Sequence, residues 1–255
     1  MQYTATGNWR IYPLTVGDQQ QHIDQSERLL STIQMGDAPI LYWSQAQPEG
    51  VVLGFSQNHT ILRQAQVQTG PLPIYRRRAG GTAVHVGPHL LSLDVVLPMG
   101  HSLILADIVE SYRWLGEAWV AALLLLGIQA RVVPPTEAHA QQSLLKKAET
   151  REYEAVLRRA CYGSLSPYEV VVGQRKVIGL DMIRRRVGSL LQAGVLLQWQ
   201  PETLVRLLGQ TQQEQAQLCE GLSERATGLD IIAGRTIAAD EVVAAFTHII
   251  TTNFD

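Results

Sequence analysis

Three arginines, Arg76, Arg77 and Arg78, run through Ala79 into the pair Gly80-Gly81, and Thr82-Ala83-Val84-His85 follow. Guanidinium forks offer paired donors to a carboxylate or phosphate. Glycine lets the main chain come close to such a ligand. A plain surface turn has the same composition, so this run alone decides nothing. A second run lies downstream, Gly173-Gln174-Arg175-Lys176-Val177-Ile178-Gly179, with Cys161 before it and Arg184-Arg185-Arg186 after it. A lysine just past a hairpin turn can be aimed by its strand into a pocket, where an ammonium stabilises negative charge on a carbonyl oxygen. The ordinary alternative is an exposed lysine. Cys161 could serve as a thiolate nucleophile toward a thioester, with Arg158, Arg159 and Lys176 as candidate neighbours. Its ordinary alternative is a small buried hydrophobe. If the arginine run is a strand, Arg76 and Arg78 share one face and Arg77 takes the other. Arg184–Arg186 read as a solvated strand end or a docking patch for acidic partners. His85, His89 and His101 do not have the spacing of a zinc site.

These residues need elements to hold them. Strands are expected at 9–12, 39–43, 50–55, 74–76, 91–97 and 188–198. Residues 169–172 and 176–180 form a hairpin about Gly173-Gln174. Helices are expected at 18–35, 107–126, 202–208, 211–222 and 238–250. The second of these carries Ile108, Tyr112, Leu115, Trp119, Ala122 and Leu126 as one apolar stripe, closed by Gly127. Residues 136–159, after Pro134-Pro135, are charged and weakly patterned, and read as an exposed excursion. The chain has 255 residues, 46% of them hydrophobic, and a formal net charge of −2. That is enough for a sizeable core, and it argues against nucleic acid as a partner. Cys161 and Cys219 are the only cysteines, which suits reduced thiols in the cytoplasm rather than a disulfide framework. No secretory signal stands at the start, and no apolar run approaches the roughly 20 residues that span a bilayer. The expected architecture is one α+β domain over 1–255, a mixed β-sheet core with flanking helices. Its helical C-terminal part covers about 201–255 and no accessory domain follows.

Several short motifs, taken in order, resemble the lipoate–protein ligase and octanoyltransferase family, which shares a fold with the biotin protein ligases. Glu49 to Asn58 is similar to the family's early strand-and-Gln segment. Arg76 to Val84 resembles its Arg-Arg-x-Ser/Thr-Gly-Gly acyl-binding loop. Cys161-Tyr162-Gly163-Ser164-Leu165-Ser166-Pro167-Tyr168-Glu169 is similar to a Cys-Phe-x-x-Pro-Ser-x-Tyr-Glu stretch of the cysteine-dependent octanoyltransferase branch. Gly173 to Gly179 resembles the segment that carries the family's essential lysine, and Arg225 to Leu229 resembles that branch's tail. Departures are Ala79 for Ser or Thr, Val86-Gly87 for a polar pair, Leu180-Asp181-Met182 for Ser-Ala-Gln, and Ala193 for a frequent histidine.

The resemblance implies catalytic roles for Cys161 and Lys176. It implies substrate binding by Arg76, Arg77, Gly80, Gly81, Thr82, Ala83, Val84 and Gly179, with no metal and no cofactor. The implied reaction moves an octanoyl or lipoyl group through a Cys161 thioester to one lysine of a carrier domain. Acyl carrier protein would be the donor. Lipoyl domains of 2-oxoacid dehydrogenase acyltransferase subunits, or the glycine cleavage H protein, would be the acceptors. The acyl chain would lie among Val52, Val84 and Ile178. Three alternatives stay open: an ATP- and Mg2+-dependent lipoate–protein ligase catalytic subunit, an amidotransferase that moves octanoyl or lipoyl between two carrier proteins, and a silent acyl- or carrier-binding homologue.

Overall fold

Residues 90–98 are apolar except for Ser92 and Asp94, the composition of a strand covered on both faces. In the computed structural model, which describes residues 2–6, 8–63 and 72–254, they form β7 (Leu90–Pro98), near the middle of an eight-stranded sheet. Its neighbours on one side are β3 (Ile40–Ala46), β2 (Trp9–Gly17) and β1 (Thr4–Thr6). On the other side come β11 (Gly188–Leu196), β10 (Arg175–Arg184), β9 (Val170–Val172) and β8 (Arg131–Val132). Among the described strands of this sheet, only β2 and β3 pair in parallel. Parallel neighbours need a crossover, and α1 (Gln19–Thr32) supplies it, opened by the Asp18 carboxylate accepting from Gln20 N at 2.9 Å. A smaller sheet, β5 (Ile74–Arg76), β4 (Gly50–Leu53) and β6 (Val84–Val86), is a separate hydrogen-bonded ladder whose Val52, Val84 and Val86 pack with Ala46, Leu90 and Leu196 of the large one.

Strand alternation splits the large sheet into two faces. Leu41, Trp43, Leu93, Val95 and Leu191 pack with α2 (Arg113–Leu125) and α8 (Ala239–Asn253). Trp119 and Phe246 close that layer, with ring centroids 4.1 Å apart. On the reverse face Ile40, Val96 and Leu190 meet Leu29, Leu30 and Ile33 from α1 and its C-cap. The expected helix at 107–126 is shorter than its stripe. Glu110–Tyr112 make a 3-10 turn, α2 starts at Arg113, and Ile108 is 53% exposed.

The largest difference from expectation lies in residues 136–159. They form α3 (Pro135–Ser143), a 3-10 turn at Leu144–Lys146, and α4 (Arg151–Leu157). The apolar side of α4 is small, only Val156 and Leu157 being buried. These pack with Leu204, Leu207, Leu218 and Leu222 from α5 (Glu202–Leu208) and α6 (Gln212–Arg225), beneath Val51 and Leu53. Glu154 is buried as well, because Arg225 donates to both of its oxygens at 2.6 and 2.9 Å. No local pattern reveals a partner 71 residues away. A five-residue helix, α7 (Leu229–Ala233), follows α6. No helix among the described residues is long and apolar enough to cross a membrane.

Truncating one member of a buried ion pair strands the other. Glu154→Ala is therefore expected to destabilise the chain by about 3–5 kcal/mol, read as a lower urea midpoint at unchanged slope. A loss below about 1 kcal/mol would show that α4 is held by its apolar contacts alone.

Candidate active site

A slot opens where the large sheet has little to offer the small one. Three neighbouring strands bring Gly179, Gly194 and Ser92 into register on one face. The next row on the same face is Asp181, Gln192 and Asp94. Val52, Val84 and Val86 of the small sheet and Ile23 of α1 complete a cavity of about 90 Å³. Cys161 and Arg77 stand at its end, and both also line a wider outer pocket of about 420 Å³ with Gly80, Gly81, Thr82 and Arg158. Cys161 thus sits at the waist between a narrow, largely apolar slot and an open mouth.

The main chain fixes that position. Cys161 begins a 3-10 turn (Cys161–Gly163) just beyond α4. Its N–H donates to Ala83 O at 2.9 Å, and Ala83 N–H donates to Arg159 O at 3.1 Å. This short bridge ties the glycine loop to the cysteine. The Lys176 ammonium approaches from β10. It donates to Cys161 O at 3.0 Å and to Ser164 O at 3.1 Å, and pairs with Glu169 Oε1 at 2.7 Å. Lys176 is 1% exposed and Glu169 2%. Glu169 also accepts from Ser166 N at 2.7 Å and from Leu180 N at 3.2 Å. Burial pushes the Glu169 carboxyl above its ordinary range, and the ammonium opposes that shift. A lysine has three N–H donors, so all three are committed here.

Arg77 is the cation that stands beside the cysteine side chain: both line slot and mouth, and a Cβ on Gly81 would lie 2.3 Å from Arg77 Nη2 and 3.8 Å from Cys161 Sγ. The guanidinium donates to Gly80 O at 2.9 Å and Thr82 O at 3.3 Å, and pairs with Asp181 at 3.3 Å. Burial disfavours its charge, but Asp181 and then Cys161 more than restore it, so its pKa is pushed up. A sulfur at the end of a slot, beside a guanidinium, can take up an acyl group as a thioester.

Residues 18–251 match the family profile described as the lipoyl protein ligase A/B catalytic domain. The chain belongs to this family. It is 29% identical over 225 residues to octanoyltransferase LipM of Exiguobacterium sibiricum, covering 86% of this chain and 77% of that protein. Octanoyltransferase LipM of Moorella thermoacetica is 26% identical over 254 residues, covering 96% and 88%. The bipartite lipoate protein ligase of Thermoplasma acidophilum, solved with its E2 lipoyl domain, superposes with a TM-score of 0.74 at 20% identity, over 97% of this chain and 83% of that one. This last likeness, together with the mixed sheet and flanking helices, shows the α+β fold of lipoate protein ligases.

Within this family fold, the residues expected at the site are distributed unevenly. Cys161, Arg77, Val84 and Gly179 line the slot, while Lys176, Gly80, Gly81 and Thr82 line the outer pocket. Ala83 is buried in the bridge to Cys161. Arg76 points elsewhere, donating to Phe55 O at 3.0 Å from an exposed position, and Arg78 lies near Glu27 at 3.6 Å. Arg159, expected beside the cysteine, is held by Glu214 at 2.6 and 2.7 Å. Ile178 belongs to the core on the opposite face, as the alternation about Gly179 requires. Arg184 is tied to Leu105 O and Arg185 to Glu27, both at 2.9 Å or less. His85 bonds Glu49 at 3.2 Å and His89 bonds His85 O at 3.2 Å, both buried behind β6. Among the described residues no group of three potential ligands could hold a metal.

Sequence reasoning passed over Asp94. It is 5% exposed, accepts from Gln192 Nε2 at 2.7 Å, and bonds the Ser26 hydroxyl. Burial raises its carboxyl to about 6 against the pull of those two donors. The available signal was a lone acidic residue inside an otherwise apolar strand.

The two loop glycines are not equivalent. Gly81 has φ of 77°, and a Cβ there would lie 2.3 Å from Arg77 Nη2, whereas a Cβ on Gly80 meets nothing within 4 Å. Gly81→Ala is expected to lose acyl binding and stability together, and Gly80→Ala to keep both. Equal melting temperatures and affinities for the two variants would contradict this asymmetry.

Asp94 supplies a second test. A carboxyl whose folded pKa exceeds its unfolded value binds more protons when folded between the two, so stability falls as pH rises from about 4 to about 6. The penalty is fully present above that window. Asp94→Asn should therefore be more stable than the parent at pH 8 by roughly 1–3 kcal/mol, with the gap closing near pH 4. Urea unfolding at both pH values measures it, and a less stable variant at pH 8 would refute the assignment.

Proposed function

We propose that this chain is a protein acyltransferase that attaches an octanoyl or lipoyl group to one lysine of a lipoyl-type carrier domain. The single observation that carries this reading is the place of Cys161, at the waist between slot and mouth, with Arg77 lining both pockets beside it. The names of its relatives, octanoyltransferases, support the same chemistry. The donor in this reading is an acyl thioester on acyl carrier protein, and the reaction runs in the cytoplasm without ATP.

The steps balance as two displacements. The Cys161 thiolate attacks the thioester carbonyl, with the chain in the slot and the donor arm in the mouth. The carbon–sulfur bond to the donor breaks, and its thiol leaves with a proton. The ε-amine of the acceptor lysine then enters from the mouth and attacks the Cys161 thioester. A carbon–nitrogen bond forms, the bond to Cys161 breaks, and the amine's proton returns to the sulfur. Arg77 faces the sulfur where negative charge resides in both steps. Lys176 acts chiefly by positioning: its bonds to Cys161 O and Ser164 O hold the cysteine turn. It can reach a developing oxyanion only by giving up one of them. The carrier lysine domains are those of 2-oxoacid dehydrogenase acyltransferase subunits or the glycine cleavage H protein.

Incubation with octanoyl–acyl carrier protein, without ATP, should give an octanoyl adduct on the intact protein that hydroxylamine removes. Cys161→Ser should abolish it while the circular dichroism spectrum is retained. Lys176→Ala, with its fold checked by circular dichroism, should slow transfer by at least about 10²-fold, the scale on which a small misplacement of a reacting group costs rate. Undiminished transfer by Cys161→Ser would exclude the thioester route, and an absolute requirement for ATP would move the reading to ligation.

A further inference from the structure

The slot beside Cys161 is not a plain hydrocarbon channel. One wall is apolar, built from Ile23, Val52, Val84 and Val86. The facing wall is the polar row Asp181, Gln192 and Asp94, contributed by three adjacent strands and paired residue to residue across the sheet. Asp94 forms no ion pair among the described residues; its two oxygens meet only the neutral donors Gln192 Nε2 and Ser26 Oγ. Asp181 spends one oxygen on Arg77, and its Oδ1 is buried with no hydrogen-bond partner among the described residues.

A carboxylate has about four lone-pair sites, so both acids retain capacity to accept. An unsubstituted alkyl chain filling the slot would displace water from that wall and return no donor, leaving buried acceptors unmet. A chain bearing a hydroxyl would lay its methylenes on the valine wall and give its proton to the acidic one. The discrimination is asymmetric: sites built of polar groups reject analogues that lack the matching group more strongly than apolar pockets reject a size change.

Resting on the transfer reading above, we propose that the slot selects a medium-chain acyl group carrying a hydroxyl on its chain over the unsubstituted chain of equal length, with Asp94 and Asp181 as the acceptors. Octanoyl remains a substrate, the weaker one.

Two measurements separate this from the transfer reading. Calorimetry of the wild-type protein with octanoic acid and with a positional series of hydroxyoctanoic acids reads the slot without any chemistry. At least one hydroxy isomer should bind about tenfold more tightly, the scale of one hydrogen bond to a charged acceptor. Competition between octanoyl- and hydroxyoctanoyl-carrier protein, read by intact mass as the ratio of Cys161 adducts, should show the same preference. Asp94→Leu should reverse it, and Gln192→Leu, which leaves the acid in place, should weaken it by a smaller factor should the first variant fold poorly. Octanoic acid binding as tightly as every hydroxy isomer overturns the proposal, as does a preference unchanged in both variants. An 8-aminooctanoic acid that outcompetes the hydroxy acids also overturns it, in favour of a cation site. Selective binding without any adduct would sink the transfer reading and leave the slot assignment standing. Adducts formed equally from both donors would do the reverse.

Discussion

The buried pair of Lys176 and Glu169 is the constraint on which the site's geometry rests. Two charges removed from water are costly, and their attraction repays this only with good geometry and every remaining donor and acceptor met. Here that condition holds. The ammonium spends its protons on one carboxylate and two carbonyls, and the carboxylate accepts two main-chain amides besides. The network spans β10, the turn at Cys161 and the loop 164–169. Because a half-satisfied network is worse than none, these pieces move as a unit or not at all. The cysteine is consequently placed by a lysine that scarcely touches solvent, at 1% exposure.

The slot depends on the opposite device, the absence of side chains. Gly179 and Gly194 leave the large sheet bare where the small sheet lies over it. A Cβ on Gly194 would come within 2.8 Å of Tyr162 Oη, which donates to Gly194 O at 2.7 Å. Tyr162 in turn lies under the Lys176 ammonium, 5.1 Å from ring centroid to nitrogen. Gly54, just past β4, makes room for the glycine loop in the same way, since a Cβ there would strike Gly81 O. The space for a ligand and the ion pair that flanks it are two results of one close approach between layers.

Much of this was legible because it is local. Apolar strand composition marked residues 91–97 and 188–198, and turn chemistry marked the hairpin at Gly173-Gln174; alternation does not reach the arginine run, because β5 ends at Arg76 and it is the loop beyond that turns Arg77 toward Asp181. What was not legible depends on distant partners. α4 has two buried apolar residues, and its burial of Glu154 is explained only by Arg225. Ile178 was expected in the slot although its neighbour Gly179 faces it, an error that alternation itself corrects. Gly80 and Gly81 are the same residue type, and only backbone angle and surroundings distinguish them.

The basic residues around Cys161 suggest a strongly electropositive site, yet most are already answered. Arg77 faces Asp181, Lys176 faces Glu169, and Arg159 faces Glu214. Each pairing trades long-range field for fixed direction, because a neutralised pair attracts little at a distance but orients its donors firmly. A thioester carbonyl is neutral when it arrives and gains charge only during attack. A site that recognises it needs oriented donors at the reacting atoms more than attraction at long range. The paired cations provide the first and largely forgo the second, which fits a chain whose formal net charge is only −2.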